Sequence, residues 1–180
     1  MSKLTVTITP SGQTTISAFC LKSDLWQDYL NFVNDAREEH KRNNTRQENR
    51  YLRAALLSLF AHLEASVNDV IYKSSLGNKK LDKPISDKCL LVSELAKIES
   101  PAIDEMKKIR NILVHPGGKK DDSHPFDVLS QDTIEAYGNL ITNWLNEVSG
   151  AIGMPRFSDT NTLVKDLAQN LGSNIDASEI

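Results

Sequence analysis

The period of the apolar residues changes along the chain, and the changes divide it. Between residues 4 and 18 they alternate, with Leu4, Val6 and Ile8 on one side and threonines between them. Pro10-Ser11-Gly12-Gln13 carries turn chemistry and Thr14 to Phe19 is again β-prone, so residues 1–20 are predicted to form a short hairpin. A lone hairpin is marginal in water and needs a surface to lie on. From residue 21 the spacing becomes helical. Ser23 is the expected cap, with Asp24 in the first turn, and Leu25, Tyr29, Phe32, Val33 and Ala36 form the stripe. Residues 37–49, rich in charge and asparagine, either end this helix or extend it.

The second helix, Tyr51 through Tyr72, has the strongest pattern. Leu52, Leu56, Leu59, Leu63, Ser66 and Val70 step by four and three, the spacing of a packed seam. A second stripe, Arg53, Leu57, Phe60, Glu64 and Asn68, is apolar in the middle and polar at its ends. Glu64 thus borders an apolar shoulder, where a carboxylate needs a partner. Gly77-Asn78 and Pro84 punctuate the chain. A third helix is expected from Ser86 through Leu90, Leu91, Leu95 and Ile98, and Ser100-Pro101 reads as the start of a fourth, with Ile103, Met106, Ile109, Ile112 and Leu113. That helix must stop near His115, because Pro116 disfavours helical geometry in the residue before it. After a polar loop, Ser130 caps a fifth helix with Ile134, Tyr137, Ile141, Trp144, Val148 and Ile152 on one face. One-sided helices joined by short loops can bury their stripes only against each other. The expected fold is all-α, an up-and-down bundle of four to five helices over residues 21–152 with a small N-terminal β-hairpin. Residues 153–180 read as an acidic tail with a short helix around Leu163, Leu167 and Leu171.

Composition narrows the function. The 180 residues are 39% apolar and 25% charged, as in a soluble globular domain. No uninterrupted apolar run approaches a membrane span, and the first residues lack secretory-signal character. Cys20 and Cys89 make neither a disulfide framework nor a zinc cluster, and both are expected as reduced thiols in a cytoplasmic protein. The net charge of −3 disfavours non-specific wrapping of duplex DNA. Two local basic clusters remain. One spans residues 37–53, and its plainest reading is a solvated helix face. The other comprises Lys107, Lys108, Arg110, Lys119 and Lys120.

The second cluster flanks Arg110-Asn111-Ile112-Leu113-Val114-His115-Pro116. Asn111 and His115 are four apart and share a helix face, with Arg110 beside Asn111. Such a trio suits a phosphodiester. A guanidinium grips phosphate oxygens in pairs and keeps its charge. An imidazole titrates near neutrality and moves a proton to or from a ribose hydroxyl or leaving oxygen. An amide holds a hydroxyl or orients the ring. No metal or covalent nucleophile is required.

Arg110-Asn111-x-x-x-His115, together with the long preceding helix carrying Phe60, Ala61, Leu63, Glu64, Ala65 and Asn68, resembles the signature of HEPN domains over roughly residues 21–150. The resemblance implies a helical bundle that dimerises and brings two copies of the motif into one cleft. It also implies a metal-independent endoribonuclease without cofactor, in some relatives a toxin or defence nuclease partnered by a nucleotidyltransferase-type antitoxin. Arg110, Asn111 and His115 would be catalytic. Glu64 would pair with Arg110 and aim it, and Lys119 and Lys120 would hold RNA phosphates. Geometry agrees with a dimer: Arg110 and His115 lie five steps apart, about 140° around a helix, so one protomer would struggle to bring both onto one phosphate. The competing class is a non-catalytic interaction module whose cleft binds a partner protein or a nucleotide. A metal set at His115, Asp121, Asp122 and His124 has no defensible spacing. Trp26 and Trp144 sit on or beside apolar stripes and are expected in the core.

Overall fold

The computed structural model describes the backbone of residues 2–8 and 14–21, and backbone and side chains of residues 22–74, 76, 80–114 and 129–154. The predicted turn at 10–13 and the tail helix at 155–180 lie outside the described residues. Two extended backbone segments, Ser2–Ile8 (β1) and Thr14–Cys20 (β2), run in antiparallel register with Ser2 opposite Cys20 and Ile8 opposite Thr14. Five helices follow: α1 Leu21–Lys41, α2 Thr45–Lys73, α3 Ile85–Ala96, α4 Asp104–Val114 and α5 Gln131–Ala151.

The ambiguous segment 37–49 both extends one helix and begins the next. α1 runs on to Lys41, Asn43 takes the left-handed conformation at φ 56°, and the Asn44 N–H closes the turn on the Glu39 carbonyl at 2.9 Å. Asparagine tolerates that conformation better than most residues, which is why the chain reverses there. α2 therefore starts six residues before Tyr51. The two helices lie antiparallel, since Lys22 meets Asp69 at one end and His40 meets Glu48 at the other.

Several predicted boundaries shift. Ser23 is not a cap, because α1 begins at Leu21 straight after β2. α3 begins at Ile85, behind Pro84, rather than at Ser86. It ends before Ile98: Lys97 adopts φ 57°, and the Ile98 N–H reaches back to the Ser93 carbonyl at 3.0 Å. Pro101 does not open α4. The chain makes a tight turn, the Ile103 N–H donating to the Pro101 carbonyl at 2.9 Å, and Ile103, its side chain buried, accepts the first helical bond from the Lys107 N–H at 2.8 Å. The buried face of α3 also differs from the leucine stripe. Ile85, Lys88, Cys89, Val92, Ser93 and Ala96 point inward, and Leu90 is exposed. The cap at Ser130 is present, its Oγ accepting from the Thr133 N–H at 3.1 Å.

α2 packs against each of the other four helices. Leu52, Leu56, Leu59, Leu63 and Val67 are almost fully buried, and Ile134, Ile141 and Val148 of α5, Val92 of α3 and Met106 of α4 complete the core. By length and hydropathy α2 could cross a bilayer, yet 56% of its most apolar stretch is buried inside the bundle, as in the core helix of a soluble protein. Trp144 is a core residue, its indole N–H donating to the Glu99 carbonyl at 3.1 Å and the Ser93 hydroxyl at 3.2 Å. Trp26 is partly buried, 4.9 Å from the Tyr29 ring. Cys89 is buried, which pushes its thiol up to about 12 and removes it from thiolate chemistry.

Tyr29 fixes α1 against α5. Its hydroxyl donates to the Ile134 carbonyl at 3.2 Å, and its ring lies where a side chain at Gly138 would stand; a Cβ there would sit 2.7 Å from Tyr29 Cζ. Gly138→Ala is therefore expected to destabilise the fold by about 1–3 kcal/mol through overpacking. Urea unfolding of Gly138→Ala and of Gly138→Ala/Tyr29→Phe checks this, with part of the loss recovered in the double variant.

His62, buried on α2, joins the start of α1. Its Nδ1 lies 2.7 Å from the Lys22 carbonyl, which can only accept, so Nδ1 carries the hydrogen. Burial pushes the imidazole down to about 4; the carbonyl bond opposes this and the Lys22 charge adds to it. Nearby, burial raises the Asp69 carboxyl, but hydrogen bonds from Lys22 and Lys73 outweigh it and hold the group below its usual range. Between pH 6.5 and about 4 an unfolded His62 binds a proton that the folded one refuses. Its contribution is complete above pH 6.5 and disappears as the pH falls to 4, a loss of about 3 kcal/mol. Urea unfolding across this range should show that decline, and a markedly flatter one in His62→Gln.

Candidate functional site

α4 sets the site. Asp104 and Glu105 in its first turn favour the helix electrostatically, Met106 and Ile109 anchor it in the core, and it ends at Val114. Arg110 and Asn111 consequently occupy its final turns, Arg110 half-buried and Asn111 exposed. The guanidinium carbon of Arg110 stands 5.2 Å above the centroid of the Phe60 ring on α2, and Nη1 donates to Asn111 Oδ1 at 3.0 Å. Ring and amide together hold the guanidinium plane. Its other N–H groups donate to no protein acceptor among the described residues, and no carboxylate there lies within ion-pair distance. Among the described residues, then, Arg110 is a cation held by a ring and an amide, with its remaining donors open. His115, Lys119 and Lys120 lie outside the described residues, as do Asp121, Asp122 and His124.

Glu64 does not pair with Arg110. Its Oε1 accepts from Lys88 Nζ on α3 at 3.3 Å, the lysine side chain being 4% exposed and the glutamate 44%. The physical reason is desolvation. Lys88 runs its stem through the inner face of α3 beside Cys89 and Val92, and a buried ammonium needs a counter-charge. Arg110, half in water and stacked on Phe60, has no such need. Lys107, counted in the basic cluster, is also committed, its Nζ donating to Ser86 Oγ of α3 at 2.9 Å.

The sequence reading missed Lys88 and the platform role of Phe60. A signal for Lys88 existed. Ile85, Cys89, Val92 and Ala96 repeat by four, three and four, and this weaker apolar stripe, not the leucines, marks the inner face of α3 with Lys88 at its edge. Among the described residues no group of three or more His, Cys, Asp or Glu side chains could hold a metal ion. Compared with known protein families, with curated proteins and with solved structures, the chain matches none.

The asymmetry of the Glu64–Lys88 pair sets an order of stabilities. Glu64→Gln leaves a buried ammonium facing an amide and should cost about 1–2 kcal/mol, less than for a fully buried pair because Glu64 is partly solvated. Arg110→Gln should cost less than about 1 kcal/mol, since it removes one half-exposed stacking contact. Urea unfolding of both variants tests the order.

Proposed function

We propose that the chain is a metal-independent endoribonuclease of HEPN type that acts as a homodimer with a shared RNA cleft. The observation that carries this reading is the Arg110-Asn111-x-x-x-His115 motif at the end of α4, with the Arg110 guanidinium half-exposed, stacked and free of carboxylates among the described residues. A guanidinium spent on an internal salt bridge would argue for a purely structural arginine. Val114, one turn beyond Arg110, is an exposed apolar residue beside the motif, suited to a subunit contact.

In the proposed reaction Arg110 of one protomer holds the scissile phosphate and stabilises the charge that develops on it. His115 of the other assists proton transfer as the ribose 2′-oxygen attacks phosphorus and the 5′-oxygen leaves, giving a 2′,3′-cyclic phosphate. Asn111 positions the scissile group, and Lys119 and Lys120 add phosphate contacts. Glu64 belongs to the supporting stripe through Lys88. The N-terminal residues are read as a β-hairpin appended to a cytoplasmic, soluble bundle, and a nucleotidyltransferase-type antitoxin belongs to the toxin version of this function.

The test incubates wild-type, Arg110→Ala and His115→Ala protein with labelled RNA in EDTA. Wild type should cleave despite the chelator and leave cyclic phosphate ends, and each variant should be slower by about 10²-fold or more. A mixture of the two variants should recover part of the activity if the site is shared. Equal cleavage by His115→Ala, or cleavage abolished by EDTA, removes the proposal.

A further inference from the structure

The basic residues around the α1–α2 turn form two populations. Those on α1 and at its C-terminal end are ion-paired in place: Arg37 with Glu135 at 2.8 Å, Lys41 with Glu38 at 2.7 Å and Arg42 with Glu39 at 2.7 Å. Those at the start of α2 are not. Arg46 and Arg50 are exposed, and among the described residues neither reaches a carboxylate; Arg50 donates to the Gln47 amide oxygen at 3.2 Å. Glu48, the acid between them in sequence, faces away, where His40 approaches its Oε1 at 3.0 Å.

Steps of four, three, four, three and four residues put Arg46, Arg50, Arg53, Leu57, Phe60 and Glu64 within about 40° of one line along α2. The line is continuous with the candidate site, because Arg110 stands over Phe60. From Arg46 to Phe60 it covers about 21 Å. Arg46 lies in the first turn of α2, where free N–H groups already carry positive partial charge, and Asn44 offers no side-chain cap.

We infer that this face of α2 is a track along which an extended single strand of RNA reaches Arg110. The choice of RNA rests on the cleavage reading above; the polyanion chemistry does not. Arg46 and Arg50, exposed one turn and about 6 Å apart on the same line, suit one phosphate chain rather than the two rails of a duplex. Leu57, 39% exposed between Arg53 and Phe60, gives an unstacked base an apolar surface, which a duplex would not use.

Fluorescence anisotropy with a short labelled single-stranded RNA tests the track, using His115→Ala protein so that the RNA stays intact. Arg46→Gln/Arg50→Gln should weaken binding roughly ten- to thirtyfold and flatten the slope of log affinity against log salt by about 1.4, for two lost phosphate contacts. Arg46→Lys/Arg50→Lys should keep most of the affinity. Lys41→Gln/Arg42→Gln changes net charge equally on the neutralised face and should stay within about twofold. Circular dichroism confirms that each variant is folded. Equal weakening by both glutamine pairs, RNA affinity unchanged in Arg46→Gln/Arg50→Gln, or a loss confined to phosphatidylserine vesicles overturns the inference. Wild-type protein that binds RNA through this face but never cleaves it would defeat the cleavage reading and leave the track standing.

Discussion

α2 carries faces with opposite demands, and the bundle follows from meeting both. Leu52, Leu56, Leu59, Leu63 and Val67 must leave water, and at about 1.5–3 kcal/mol for each large side chain their burial exceeds any single polar contact in the protein. One helix cannot bury its own stripe, so α1, α3, α4 and α5 each supply part of the cover. About 100° around the helix from that stripe, Arg46, Arg50 and Leu57 remain exposed. The element that holds the interior together therefore also carries exposed arginines on its outside.

Charges are handled by the same rule of solvation. Exposed pairs at the end of α1, Lys41–Glu38 and Arg42–Glu39, contribute little to stability individually, but they distinguish these cations from Arg46 and Arg50, which reach no carboxylate among the described residues. Where a cation is desolvated, the competition sharpens. Lys88 takes the carboxylate of Glu64 because its ammonium has little water left, and among the described residues Arg110 keeps a ring and an amide as its partners. A pairing that looks natural in sequence is lost to a more deeply buried competitor on another helix.

His62 and Tyr29 show how the cover is located as well as driven. Apolar burial has no direction, whereas the His62–Lys22 and Tyr29–Ile134 hydrogen bonds do. They set the start of α1 on α2 and its middle on α5, with Gly138 providing the close approach. The cost is an imidazole kept neutral by burial, so that acid works against the same contact that orients the helices.

Apolar periodicity by itself determined the helical class and the inward positions of α2, α4 and α5, because a one-sided stripe at a spacing of three and four admits only one inner face. The cap at Ser130 was equally local. α3 was legible as a helix, and Leu95 and Ile98 of its leucine and isoleucine positions do pack partly on the core, but a stripe of smaller residues lies deepest and only packing showed this. The start of α4 was misread too, because burial of Ile103 overrode the local preference of Ser100-Pro101. The trio at the end of α4 was legible as residues at a spacing, and Arg110 and Asn111 were placed on one helix end by that spacing. Which carboxylate Glu64 offered to which cation was not legible, nor was the platform under Arg110. These depend on relative desolvation of groups far apart in sequence, a quantity that exists only once the helices have packed.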